Sequence, residues 1–199
     1  MQYAYLKKSW EKASASFLFL NTGFQNFIGD NNDIPDGVSY RQTTGSFFKL
    51  PIPVINVTGS AYYQFGKVNK NRELSAYQIS LEGTYKTNSV LFGLGFELLS
   101  GTDQDGESKN KSFTPLYGTN HKFNGFMDYF YVGNHINSTG LLDVFAKVNA
   151  KLNDKSSLGL WIHNFSSYAE IANGVKKQLG TEVDLLAKRA SPDLTRKAL

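Results

Sequence analysis

The chain has 199 residues, a formal net charge of +4 and no cysteine. It is long enough for one domain, and it excludes disulfides, thiolate metal sites and cysteine nucleophiles. It also excludes a helical membrane protein, because no run approaches the roughly 20 apolar residues a spanning helix needs, and the most apolar stretch, Ser89 to Leu99, contains two glycines and Glu97.

Along the chain the dominant pattern has period two. After a first strand, a turn is expected at Lys8–Lys12 and a longer connection at Gly23–Gly37, followed by a short turn at Leu50–Pro53. From Ile55 to Gly66, Ile55, Val57, Ala61, Tyr63 and Phe65 alternate with Asn56, Thr58, Ser60, Tyr62 and Gln64. A connection at Asn69–Glu73 leads to Ala76–Tyr85, where Tyr77, Ile79 and Leu81 alternate with Gln78, Ser80 and Glu82. The turn Lys86–Ser89 precedes Val90–Leu99. Beyond Gly101–Gly140, Leu142, Val144, Ala146 and Val148 alternate with Asp143, Phe145, Lys147 and Asn149. The turn Leu152–Ser156, the connection Tyr168–Gln178 and the turn Ala190–Asp193 complete the chain. Such alternation marks strands with one apolar face. Only Glu182 to Ala190 reads as helix-like, and its start alternates as well.

About ten strands result. Several patterned stretches run about ten residues or more, beyond the usual five or six of soluble strands and enough for a tilted strand to cross a bilayer. Short turns at one end of the strands alternate with connections at the other, of which three of four are long and Asn69–Glu73 is short, as short periplasmic turns and longer extracellular loops do in outer-membrane barrels. Counting Phe126–Val132 as a membrane strand would break that parity. Gly101–Gly140 is therefore read as one extracellular excursion, with Phe126 to Tyr131 folding inward to narrow a pore. Composition agrees: aromatics are 14% and charged residues only 19%, while a mean hydropathy of −0.33 is what a polar lumen face and an apolar lipid face average to. The expected fold class is an all-β antiparallel transmembrane barrel, a single domain over 1–199. Because the N-terminus is no signal peptide and the last strand is half made, the chain is expected to be a fragment of a larger barrel.

The segment SFTPLYGTNHKFNGFMDYFY from Ser112 to Tyr131, followed by GLLD from Gly140 to Asp143 and preceded by FELLSGTD from Phe96 to Asp103, resembles the alginate-export-like outer-membrane porins of Bacteroidetes-type bacteria. The similarity runs from about Gln2 to about Asp193. It implies a single-chain, many-stranded barrel that passes polar or anionic solutes by diffusion, oligo- or polysaccharides among them. The family's namesake has a strongly basic lumen. This chain departs from that: its expected pore-lining residues are Arg41, Lys67, Tyr62, Glu82, Glu97, Asp143 and Lys147, with no dense arginine ladder. Only the class carries over.

The remaining chemistry is sparse. His121, Asn124 and Asp128 are expected to fix the constriction loop, with His121 and Asp128 as a pinning pair rather than a general base. His163, on a face with Trp161 and Phe165, reads as a wall histidine. Asp103, Asp105 and Glu107 could bind calcium weakly, but the downstream glutamate of a calcium loop is missing; Asp30-Asn31-Asn32-Asp33 reads as a solvated turn. No cofactor is expected. Tyr3, Tyr5, Trp10, Tyr62, Tyr63, Tyr85 and Trp161 are girdle or lumen aromatics. The expected partners are membrane lipid, lipopolysaccharide and small solutes. Nucleic acid is not among them, since no Lys/Arg stripe interleaves with aromatics. The rival readings are a plugged barrel serving as a structural or receptor partner, an outer-membrane lipid hydrolase using Ser112 and His121, and a soluble β-sandwich.

Overall fold

The structure is a computed structural model and describes residues 1–29, 31, 33–104, 108–117, 124–130, 132–135, 138–172, 175 and 177–189. Nine strands form one antiparallel sheet: β1 Gln2–Trp10, β2 Ala13–Ile28, β3 Ile34–Pro51, β4 Ile55–Asn69, β5 Arg72–Lys86, β6 Val90–Leu99, β7 Leu141–Asn153, β8 Ser156–Ser166 and β9 Gln178–Arg189. Each strand pairs only with its sequence neighbours, in the order β1 to β9. β1 and β9 are the edges, so the described sheet is not closed. The only helical element among the described residues is a single 3₁₀ turn, Val132–His135.

Several sequence expectations need correction. Among the described residues there are nine strands, against about ten expected over the chain; the turn expected at Ala190–Asp193 lies outside them. Gly23–Gly37 is mostly ladder, because Gly23 pairs with Tyr40, Phe24 with Ser39 and Gln25 with Val38. The polar text misleads there: Asn26 and Ser39 bond each other across the strands at 2.9 Å instead of capping a loop. Asn69–Glu73, by contrast, is the short connection expected, a tight turn in which Asn69 Oδ1 accepts the Asn71 amide at 3.0 Å, a side-chain-supported turn. Of the helix-like Glu182 to Ala190, Glu182 to Arg189 lies within β9, where ladder pairing with β8 overrides local propensity, and Ala190 lies outside the described residues. Phe126 to Phe130 forms no strand.

Because side chains alternate across a strand, the register separates two faces. One is apolar and bare. Leu6, Phe17, Phe19, Ile79, Leu81, Phe92, Leu94, Val144, Val148, Leu158, Leu160, Ile162, Val183 and Leu185 all lie on it and are exposed, Leu94 at 66% and Leu185 at 72%. Charged residues in register with this face, such as Lys8, Lys67, Glu73 and Arg189, sit toward strand ends. The opposite face carries the buried polar side chains and is covered where the chain after β6 lies across it, while its β1 edge is exposed. Gln64 is 0% and Asp143 1% exposed, and the sheet's apolar core is built there by Leu74, Ala76, Leu99, Phe113, Leu141 and Phe165. That core depends on the excursion after β6, which supplies Phe113.

Lys67 is a further correction. It follows Gly66, which shares the covered face with Gln64 and Tyr62, and it pairs with Glu73 near the strand end. Its parity is that of Tyr63 and Phe65, so it belongs to the exposed apolar face and lines no inner wall.

Candidate functional site

The site is the covered face of the sheet together with the chain laid across it. The excursion leaves β6 through a narrow neck. A side chain at Gly101 would overlap the Thr139 backbone, so only glycine admits this approach. Thr102 donates its amide to the Ser138 carbonyl at 2.9 Å. The chain then runs along β5: Ser75 donates to the Asn110 carbonyl at 2.9 Å and Asn110 to the Glu73 carbonyl at 2.8 Å. Next it meets β4, where the Gln64 amide donates to the Thr114 carbonyl at 2.8 Å and accepts the Thr114 amide at 3.0 Å. A buried glutamine with both ends satisfied in this way fixes a backbone position and leaves no desolvated polar atom to destabilise it.

The second half of the excursion crosses toward β9. Asn124 (φ 61°) donates its side-chain amide to Glu97 at 3.1 Å. Phe126 and Met127 donate their backbone amides to one oxygen of Glu182, at 2.6 and 3.0 Å. The Phe126 ring stands edge-on to Trp161 at 5.2 Å, and Phe130 packs on Phe165 at 4.7 Å. Asp128 is half-buried in a left-handed conformation (φ 57°). His121 lies outside the described residues, as do Asp105 and Glu107. Asp103 accepts the Glu170 amide at 2.8 Å, which ties this excursion to the connection between β8 and β9. No His, Cys, Asp or Glu cluster able to hold a metal occurs among the described residues.

On the wall itself, Lys147 forms an ion pair with Glu82 and sits 4.5 Å over the Trp161 ring. Asp143 holds His163 Nδ1 at 2.9 Å, and the imidazole is stacked between Trp161 and Phe165 at 6.1 and 5.6 Å. Glu97 accepts from Gln78 at 3.0 Å as well as from Asn124. Tyr62 and Glu97 line a cleft of about 210 Å³ with Gln64, Gln78, Phe113 and Asn124. Arg41 stands apart, in register with Thr22 and Gly66, its guanidinium carbon 4.9 Å from the Phe24 ring centre. Of the expected pore-lining set, Tyr62, Glu82, Glu97, Asp143 and Lys147 therefore share one continuous wall, Arg41 lies nearer its β1 edge, and Lys67 is elsewhere.

Sequence reasoning missed Glu182, Gln64 and Asp184. Glu182 was hidden by the helix-like text around it, though its parity with Gly180 and Asp184 was available. Tyr3 and Tyr5 take the covered-face register of Tyr62 and Trp161, whereas Trp10, Tyr63 and Tyr85 fall on the bare face. Between β5 and β9 the wall carries Glu82, Glu97, Asp143, Glu182 and Asp184. Lys147 lies among them, and Lys86, Lys151 and Lys188 lie nearer the short turns.

His135, in the 3₁₀ turn at the far end of the excursion, is 3% exposed and its Nε2 has no hydrogen-bond partner among the described residues. Burial pushes its pKa below the ordinary histidine value, against a smaller upward pull from a hydrogen bond with the Phe130 backbone.

No protein-family model matches the chain, and a search of curated proteins gives no significant match.

Proposed function

We propose that this chain is wall and constriction loop of an outer-membrane β-barrel that passes polar solutes by passive diffusion. The observation that carries the reading is the division of faces. A broad sheet face of exposed Phe, Leu, Ile and Val, with its charges toward the strand ends, is costly in water and suited to lipid. The apolar span from Leu142 to Leu152 on β7 is about ten residue steps, or roughly 25 Å once the strand is tilted by about 40°. Trp10 and Tyr85 near the short turns, and Tyr40 and Tyr63 toward the other end, suit the two interfaces.

The opposite face would then be the lumen, and the excursion across it the element that sets pore width. The carboxylates between β5 and β9 favour neutral or cationic solutes along this part of the wall, against the anionic ones that the family resemblance implies. Conductance of the full-length protein in a planar bilayer tests the reading, with KCl on both sides and glucuronate added as blocker. Steady openings support a porin, and block by glucuronate restores an anionic path. A folded barrel that carries no current supports the second reading, a plugged structural or receptor barrel. That reading is favoured by the bonds that the described part of the excursion makes to β4, β5, β6 and β9.

A further inference from the structure

The inward fold of the excursion needs a holding point, and the structure offers few that cross the sheet. Asn110 and Thr114 bond to β5 and β4, close to where the chain leaves β6. The segment 124–127 is different: it touches Glu97 on β6 and Glu182 on β9. Those strands are three ladder spacings apart, about 14 Å, so this segment bridges the wall.

At Glu182 the contact is made by charge and shape together. The carboxylate is 6% exposed. It accepts two successive backbone amides, an arrangement that suits an anion. Gly125 (φ +87°) is what lets the backbone approach: a Cβ there would lie 2.5 Å from both carboxylate oxygens. Asn124 and Asp128 hold left-handed conformations on either side, which non-glycine residues adopt at a cost. Such a turn persists only if something outside it selects it, and the Glu182 carboxylate lies against its centre. Asp184 and His163 are the titratable neighbours of Glu182 on the wall.

We propose that Glu182 is the positioning residue that latches the constriction loop against the wall and so sets the width of the path. The latch rests on the porin reading for its functional meaning but not for its test. Phe126 covers Trp161 only while the latch is closed, and Trp161 is one of two tryptophans. In a Trp10→Phe background, acrylamide quenching of Trp161 in detergent-solubilised protein reports the loop directly. Losing two charge-assisted bonds is expected to shift the closed-to-open ratio by about tenfold or more. Glu182→Ala should therefore raise quenching clearly, with Glu182→Gln in between because its amide oxygen still accepts.

Gly125→Ala attacks the same contact from the loop side, leaves the wall intact, and should raise quenching too if Glu182→Ala fails to fold. Unchanged quenching in a folded Glu182→Ala or Gly125→Ala variant overturns the latch. In bilayers, the variant that uncovers Trp161 should also show larger single-channel conductance. Uncovering without any current in either protein removes the porin reading and leaves the latch standing.

Discussion

Leu94→Arg separates a lipid-facing sheet from a water-facing one by both size and pattern. Leu94 sits near the middle of β6, pairs with Gly83 and Ala146, and is 66% exposed. In water such an exposed substitution would change stability by within about 0.5 kcal/mol. In a bilayer, arginine at the midplane costs about 2–4 kcal/mol, falling to about 0–1 near an interface. The expected cost at Leu94 corresponds to about 30- to 900-fold in the folding equilibrium. Leu152, on the same face at the turn end of β7 and 64% exposed, provides the depth control, with an expected cost of about 0–1 kcal/mol for Leu152→Arg. Reversible denaturant titration in phospholipid vesicles, followed by tryptophan emission, gives both values. Equal costs at the two positions, or a neutral Leu94→Arg, would refute the lipid-facing assignment.

Other outcomes follow from the covered face. Because burial depresses the His135 pKa, the folded loop holds this residue neutral. Its stabilising contribution is present above about 6.5 and is lost as pH falls through the lower folded value. Protection factors of 124–135, taken relative to the intrinsic exchange rate at each pH, should fall between pH 7.5 and 5, and His135→Gln should flatten that dependence. Lys147→Ala frees Glu82 from its ion pair; the reversal potential under a KCl gradient should move toward cation selectivity, and an anion-ward shift would contradict the pairing. Gly101→Ala forces the neck open against the Thr139 backbone. A loss of about 1–3 kcal/mol is expected, read as faster proteolysis of the excursion while the far-UV β signal is retained.

How much of this was legible in the sequence depended on whether the signal was local. Strand existence was legible because alternation is written residue by residue, as in Leu142 to Asn149. Keeping Gly101–Gly140 as one connection used only the parity of turns, which survives errors at strand ends. Boundaries failed where ladder bonds overrode turn-like text: Gly23–Gly37 reads as loop from its Asn, Asp and Gly, yet β2 and β3 pair through most of it. Among the wall residues, Tyr62, Glu97, Asp143 and Lys147 were recoverable from parity. Lys67 was misplaced by following its charge instead of its register. Glu182 and Gln64 escaped because what matters at each is a partner more than forty residues away, at Phe126 and Thr114, and no periodicity encodes that.

The order of strands also has a kinetic side. Since every strand pairs only with its neighbours in sequence, closing each hairpin encloses little chain, except across the two long connections. Ladder formation is then expected to run ahead of the distant contacts, whose closure carries a larger entropic cost. The bonds from Thr114 to Gln64 and from Phe126 to Glu182 would form last, onto a wall already built. A nascent sheet would therefore pass through a stage in which its polar wall is wet and unoccupied, and only afterwards would the excursion settle into it.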